Sequence, residues 1–447
     1  MARGAFNSGS FSPSACLAQL DQAEPSVRRW VIALSGGLDS MVLLHAASQV
    51  WSPQSLHVLH VHHQLQSAAD TWSDFCVAQA QARGLSCQVI RVAPTSASEA
   101  DARAARYQAF QQVLQVGDCL LLAQHADDQA ETLFFRLLRG AGVRGLAAMP
   151  AWRQLGCAEL RRPFLSWPRQ ALKAWAESER LSWIEDPSNL QDHYARNFLR
   201  LQILPRLQKR WPALVTRCLD TAQQMSEASE LLDELAAQDL ERLIRGRDSL
   251  CCLGLRSLSL ARQSNVLRFW LRQVGQTPSQ AQLHQVQQQL LSTHPSEEAC
   301  VELSAVHLRV YREQLYRLPN VWPEAYPMLS HLQLAPGQVL SLPGGRLYIQ
   351  GQAEVPLCVN LRYRRLGEKL YLPGREHSTR LKHLFQAHGV PVWQREGWPL
   401  LESVNPSEPE LLAVAGLVKT RAWPEDCGLE FEWRPFSLSE QPFFASL

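Results

Sequence analysis

An apolar, β-branched run that stops at two glycines and resumes with helical spacing, Val31-Ile-Ala-Leu-Ser-Gly-Gly-Leu-Asp-Ser-Met-Val-Leu-Leu44, constrains this chain more than any other stretch. It predicts a buried strand, a tight turn and a helix start. The same alternation recurs. Strands are expected at Trp30 to Leu34, Leu56 to Val61, Cys87 to Val92 and Cys119 to Ala123, with helical patterns between them at Met41 to Val50 and Ala102 to Val116. Continuous apolar strands alternating with helices predict an α/β fold with a doubly wound, Rossmann-like parallel sheet covered on both faces. Ligands of such sheets sit beyond the carboxyl ends of the strands, where Ser35, His62 and His125 fall.

From Phe164 to about Arg317 the pattern turns helical, as in Ala222 to Leu243 with Met225, Leu231, Leu232, Leu235, Leu240 and Leu243 at core-packing intervals. A proline-rich break, Pro319 to Pro327, reads as a linker. Short alternating runs at Val339 to Leu342, Arg346 to Gln350 and Leu411 to Leu417 then suggest a small α+β module. The expected division is 1–215, a catalytic α/β domain, 216–318, a helical domain, and 328–430, the C-terminal module. A length of 447 residues, nearly half of them apolar, is consistent with three cores.

The formal net charge is only +2, from 44 Lys and Arg against 42 Asp and Glu, so a nucleic-acid partner must be met by local patches. Two are visible. Between Arg362 and Arg395 eight basic residues, among them Arg380 and Lys382, face only Glu368 and Glu376, with Tyr363, Tyr371 and Trp393 interleaved. Arg196, Arg200, Arg206, Lys209 and Arg210 follow one another with no acid between them. Both patches suit phosphate neutralisation and base stacking. The N-terminal residues lack the apolar core of a secretory signal, and no run reaches the roughly 18 apolar residues of a membrane span, so a cytoplasmic protein with no membrane partner is expected. The 11 cysteines are scattered, with no CxxC pair, and read as reduced thiols rather than as a zinc or iron-sulfur framework.

Ser35-Gly-Gly-Leu-Asp-Ser40 has the parts of a phosphate site without the lysine of a P-loop. Two glycines let backbone amides approach phosphate oxygens, the following helix directs its positive end there, and Ser35 and Ser40 add hydroxyls. Asp39 would repel a phosphate unless Mg²⁺ lay between them. In Leu122 to Gly142, His125 ends an apolar strand, Asp127 and Asp128 open a helix, and Glu131 lies on the face of Asp128. One acid there would only complement the helix dipole, whereas four polar groups at a strand end beside the glycine loop point to a site. The strand histidines of His60-Val-His-His63 sit at packing intervals and do not favour zinc.

The hexapeptide Ser35 to Ser40 resembles the SGGxDS signature of the PP-loop ATP pyrophosphatases. That likeness implies cleavage of ATP between its α and β phosphates, with Ser35, Gly36, Gly37, Leu38, Asp39 and Ser40 cradling the pyrophosphate end and Asp39 holding Mg²⁺. The blocks His125-Ala-Asp-Asp-Gln-Ala-Glu-Thr132 and Arg139-Gly-Ala-Gly142, the helix Glu99 to Tyr107, Arg162-Pro163, Glu185 to Asn189, and Arg196-Asn197 with Arg200 resemble the tRNA(Ile)-lysidine synthase family. Gln124 stands where that family usually has a second histidine, and the asparagine of its HxNHxL motif is absent from His60 to Leu65.

This resemblance implies ligation of L-lysine to the wobble cytidine of an isoleucine tRNA with a CAU anticodon, by way of an adenylated tRNA. It implies catalytic roles for Asp39, Arg103, His125, Asp128 and Glu131, with Arg103 at the α-phosphate. Contacts to tRNA are expected from Arg196, Arg200, Arg206, Arg362, Arg380, Lys382 and Arg395, and a homodimer is left open. Other PP-loop chemistries fit less well: thiolation of the cytidine-modifying sort calls for paired cysteines, and glutamine-dependent amidation calls for a glutaminase. A tRNA-binding module without catalysis is a third alternative, opposed by the intact glycine loop and acids.

Overall fold

The computed structural model describes residues 11–436 other than 24–25, 65–68, 94–95, 97, 188–194, 247, 293–298, 321–325, 354 and 406–408. The chain forms two compact units, Met1–Leu231 and Leu232–Leu447.

The first unit begins with α1 (Pro13–Ala23), β1 (Arg29–Ala33), α2 (Leu38–Val50), β2 (Leu56–His62), α3 (Ala69–Gln81), β3 (Cys87–Arg91), α4 (Glu99–Val113) and β4 (Asp118–Leu121). It continues with α5 (Ala126–Leu138), α6 (Val143–Leu146), β5 (Trp152–Leu155), β6 (Ala158–Arg161), α7 (Arg169–Ser178), α8 (Ala195–Phe198) and α9 (Leu204–Arg210). The boundary between the units falls within α10 (Leu214–Leu243).

Six strands form one sheet in the order β3-β2-β1-β4-β6-β5, parallel except for the edge strand β5. The period of two along β1 explains the two-faced core. Trp30 and Ile32 pack with Leu17, Met41, Leu44 and Leu172 on one face; Val31 packs with Leu59, Phe110, Leu120 and Leu160 on the other. The four expected parallel strands are present within a residue or two of their predicted bounds.

Strand order reverses beside β1, which has β2 on one side and β4 on the other. A crevice at the carboxyl ends of β1 and β4 is therefore the place where a ligand fits an open parallel sheet. The glycine loop follows β1 and His125 follows β4, so the topology brings the two motifs together. His60 Nδ1 bonds the carbonyl of Leu34 at 2.9 Å and pins the last residue before the loop.

In the second unit the expected helices are joined by an antiparallel sheet. Helices α11 (Cys252–Ser257), α12 (Leu260–Arg272) and α13 (Gln280–Gln285) pack with a five-stranded antiparallel sheet built from β7 (Ile244–Gly246), β8 (Ser249–Cys251), β9 (Cys300–Glu302), β10 (Val306–Tyr311) and β11 (Gln314–Pro319). The β10–β11 hairpin turns at Arg312 and Glu313, with φ of 47° and 60°. Such a turn ordinarily carries Asn or Gly, and neither is present to signal it. Trp270, Leu271, Leu283, Leu308 and Leu315 form the shared core.

Beyond the expected linker, of which 321–325 lie outside the described residues, come a five-stranded and a three-stranded antiparallel sheet with the short helix Leu381–Ala387. No helix among the described residues is long and apolar enough to cross a membrane. Each of the 11 cysteines carries a free thiol.

Candidate active site at the carboxyl ends of the first and fourth strands

The loop from Ser35 to Ser40 is built by its own side chains. Ser35 Oγ lies 3.0 Å from Ser40 Oγ and accepts from Gly37 N at 3.4 Å, while Ser40 Oγ donates to the Gly37 carbonyl at 2.9 Å and accepts from Ser35 N at 3.2 Å. Gly36 has φ of +84°, and a β-carbon there would stand 3.0 Å from Ile184 Cδ1 and 3.1 Å from Cys76 Sγ. Only glycine fits without strain. Ile184 N donates to the Gly36 carbonyl at 2.9 Å, so the segment before the Glu185 block holds the loop from outside. Gly37 caps α2 without a side-chain hydrogen bond, which leaves the helix N-terminus to an anion. Leu38 is buried in the core and serves to anchor α2.

Asp39, in the first turn of α2, reaches towards His125, with Oδ2 lying 3.6 Å from Nε2. Its Oδ1 is buried with no hydrogen-bond partner and has Arg169 Nε 3.8 Å away. A buried carboxylate oxygen without a partner, next to a loop that presents amides and hydroxyls, fits Mg²⁺ carried in by phosphates. Among the described residues no group of three or more His, Cys, Asp or Glu could hold a metal by itself, so ATP would supply further ligands.

His125 begins α5 through a reciprocal cap: its Nδ1 accepts from Asp128 N at 3.4 Å, and its own N donates to Asp128 Oδ2 at 3.1 Å. The cap fits the tautomer with its proton on Nε2, towards Asp39. Burial resists charging the ring, which is 2 % exposed, but the carboxylates of Asp128, Asp39 and Asp127 outweigh burial and hold its pKa above the ordinary value. Asp127 Oδ2, 3.8 Å from His125 Nδ1, also accepts from Arg169 N at 2.8 Å, joining α5 to the start of α7.

Glu131, 2 % exposed, is held by two arginines. Arg200 donates to it through Nε at 2.5 Å and Nη2 at 2.9 Å, and also reaches Asp128 Oδ1 at 3.1 Å. Arg196 Nε donates to Glu131 at 3.2 Å, and its Nη2 to Thr132 Oγ1 at 2.9 Å. Burial lowers the Arg200 pKa, but Glu131, Asp128 and Asp39 raise it further, and the net shift is upward. Both arginines were expected on the RNA surface; here they pair with Glu131 and Asp128.

The remaining expected residues scatter. Arg103 lies beside Tyr107, with Nη2 donating to its hydroxyl at 3.4 Å, and faces Arg136 and Arg162. Arg206 is exposed on α9. Arg362 is interior: its Nε donates to Glu402 at 2.7 Å, Nη2 to Glu368, and Nη1 to the Tyr363 carbonyl at 3.2 Å. Arg395, 4 % exposed, donates to the Val390 carbonyl at 2.9 Å and to Tyr311 Oη at 3.3 Å. Neither guanidinium is presented to a polyanion. Arg380 and Lys382 are exposed, and Arg380 stands directly across a two-stranded ribbon from Lys369, also exposed. Ser188 and Asn189 of the Glu185 block lie outside the described residues.

Sequence reasoning missed Arg169 as a partner of Asp39, Thr132 as a partner of Arg196, and Arg162 as the partner of Gln124, to which its Nε donates. The only trace was a Pro-Arg at the start of α7 and an Arg-Pro after β6.

The model of the PP-loop domain family matches residues 14–207, that of the TilS substrate binding domain 250–316, and that of the TilS substrate C-terminal domain 359–433. A tRNA(Ile)-lysidine synthase of Pseudomonas aeruginosa is 41% identical over 424 residues, 91% of this chain and 93% of that protein. One from Xanthomonas campestris pv. campestris is 40% identical over 83% of this chain and 87% of its own length. One from Serratia proteamaculans is 38% identical over 91% and 94% respectively. With the glycine loop, the acid cluster and identity at this level over nearly the full length of these relatives, the chain belongs to the tRNA(Ile)-lysidine synthase family.

Proposed function

We propose that this chain is an ATP-dependent ligase that joins L-lysine to C2 of the wobble cytidine in the CAU anticodon of an isoleucine tRNA, changing its decoding from AUG to AUA. The observation that carries the proposal is the meeting, at one switch point, of a phosphate-binding glycine loop with a cluster of Asp39, Asp128 and Glu131. An enzyme that must bind a tetraanion and an amino acid with two ammonium groups side by side needs both.

The amides of Gly36 and Gly37 and the hydroxyls of Ser35 and Ser40 receive the β and γ phosphates of ATP. Asp39 would hold Mg²⁺, which when bound would neutralise charge on those phosphates. The cytidine O2 attacks the α-phosphate in line, and pyrophosphate leaves. The ε-amine of lysine then attacks C2, and the O2 departs with AMP. That amine must lose a proton first, because an ammonium is no nucleophile. Asp128 and Glu131 supply the negative charge that draws the lysine ammonium groups and takes up the proton. Arg196 and Arg200 hold these acids in place until the cationic substrate arrives. His125 ties both strand ends together through Asp39 and Asp128. Arg206, Arg380 and Lys382, exposed and basic, contribute to tRNA binding, whereas Arg362 and Arg395 shape the C-terminal core.

The test is pyrophosphate release from ATP with an isoleucine tRNA bearing a CAU anticodon, with and without L-lysine, followed by mass analysis of the nucleosides. A lysine adduct on the wobble cytidine is expected, with adenylated tRNA accumulating when lysine is withheld. Pyrophosphate without a lysine adduct would transfer the substrate to another PP-loop reaction; no release at all would leave a tRNA-binding module.

A further inference from the structure

Beside the acid cluster lies its electrostatic opposite. Arg103 and Arg153 both stack on the ring of Tyr107, with Cζ 5.1 Å and 4.8 Å from its centroid. Arg162, buried to 4 % exposure, donates Nε to Gln124 Oε1 and Nη1 to the Pro150 carbonyl at 2.7 Å, and lies against the Tyr107 hydroxyl. Among the described residues none of these three guanidiniums meets a carboxylate in a hydrogen bond or an ion pair. Their partners are a phenol, a side-chain amide and a carbonyl, all neutral. Buried or half-buried arginines are ordinarily paired, so three that converge without an anion mark a place for one.

We propose that Arg103, Arg153 and Arg162, assembled on Tyr107, bind a backbone phosphodiester of the RNA next to the nucleotide being modified. The inference rests on the RNA substrate of the reading above and deepens it. Position supports the phosphodiester. Gln124, which holds Arg162, immediately precedes His125, and Arg136, which faces Arg103, also faces Arg196 of the acid cluster. A phosphate held here therefore leaves its nucleotide at the reacting centre. Arg153 lies on β5, the edge of the sheet, where an extended polymer can approach.

Charge decides between the oxyanions available. The β and γ phosphates of ATP have the glycine loop. L-lysine brings its carboxylate together with two ammonium groups, which these guanidiniums repel. A phosphodiester carries one negative charge and nothing to repel, and arginine matches its geometry with paired donors. The field is visible in Tyr107 itself: burial pushes its hydroxyl up, yet Arg103, Arg162, Arg153 and Arg106 reverse this and leave its pKa below the ordinary value. Arg103, placed at the α-phosphate by family resemblance, belongs with this group.

The full chain with Arg153→Gln, and separately Arg153→Lys, is titrated with the isoleucine tRNA across a range of salt concentrations, with KM for ATP and for lysine measured alongside. Arg153→Gln is expected to weaken tRNA binding and to lower the slope of log K against log salt by about 1, with both KM values unchanged and the slope recovered in Arg153→Lys. Unchanged affinity and slope would overturn the inference. A rise in the lysine KM alone would make the oxyanion a carboxylate, and a rise in the ATP KM alone would make it a nucleotide phosphate; either overturns the phosphodiester. Wild-type chain that forms no lysidine overturns the proposed function instead, whatever the variant does.

Discussion

Arg200 grips Glu131 with two prongs, Nε to Oε1 at 2.5 Å and Nη2 to Oε2 at 2.9 Å, at a point where the carboxylate is almost fully buried. A buried carboxylate deprived of its partner is costly, more so than one never charged at all. Arg200→Ala should therefore destabilise the chain by about 2 kcal/mol, less than a fully broken buried pair costs, because Arg196 still holds Glu131 and Arg200 is partly exposed. Adding Glu131→Gln should recover part of that loss. Urea unfolding of the single and double variants measures the coupling, and strict additivity would mean that the pair contributes nothing.

Gly36 and Gly37 provide a matched comparison inside the loop. Gly36 has φ of +84° and would drive a β-carbon to 3.0 Å from Ile184, whereas Gly37, at φ of −76°, has nothing nearer than 3.6 Å. Gly36→Ala should cost about 1–2 kcal/mol from backbone strain alone and lower the Tm by a few degrees. Gly37→Ala should leave the Tm nearly unchanged. Thermal unfolding of both decides this, and equal losses would show that the loop is held otherwise than by the conformation of Gly36.

The central strands β1 and β4 could be read from the amino acids because each centres on an apolar run buried on both faces, a local signal, whereas β3 at the sheet edge, only half-buried, showed through its β-branched Val89 and Ile90. The site was less open. Arg196 and Arg200 look like an RNA patch in a stretch without acids, since Glu131, to which both bind, stands more than 60 residues earlier. Arg362 likewise meets Glu402 across two paired strands, a neighbour that no window of local charge contains. Counting charge along the chain finds basic segments and cannot find their counter-ions. The hairpin of β10 and β11 escaped for another reason: its turn residues, Arg312 and Glu313, adopt positive φ without the residue types that advertise it.

Asp39 separates chemistry from RNA binding. Asp39→Asn keeps the size of the side chain and removes the charge that suits Mg²⁺. Pyrophosphate release should fall on the order of 100-fold or more, while tRNA affinity stays within about twofold. Equal loss of both in parallel assays would make Asp39 a structural residue of the α2 start.

Arg380 and Lys369 oppose each other across a two-residue ribbon, a like-charge pair that weakens the ribbon unless an anion lies over it. Arg380→Glu with Lys382→Glu should lower tRNA affinity and flatten its dependence on salt, without altering the KM for ATP. Filter binding at several salt concentrations tests this. Affinity equal to wild type would remove this surface from the RNA path.

His63 gives the chain an acid-sensitive element. Burial, followed by Arg106, His60 and His62, drives its pKa down from 6.5 to about 4, and its Nδ1 is buried without a hydrogen bond. The folded chain thus refuses a proton that the unfolded chain accepts. Above pH 6.5 both states leave the ring neutral and it contributes no pH dependence. As pH falls below 6.5 the unfolded state gains the proton first, so stability declines, and the decline ends near pH 4, where the folded state is protonated too. Because the ring is partly exposed, solvent screening should hold the loss to about 1–2 kcal/mol. His63→Asn should remove this portion of the slope, so that the stability difference between variant and wild type changes between pH 6.5 and 4 in the variant's favour. Denaturant unfolding at intervals across that range measures it; a difference that stays constant with pH would mean that His63 keeps an ordinary pKa in the folded chain.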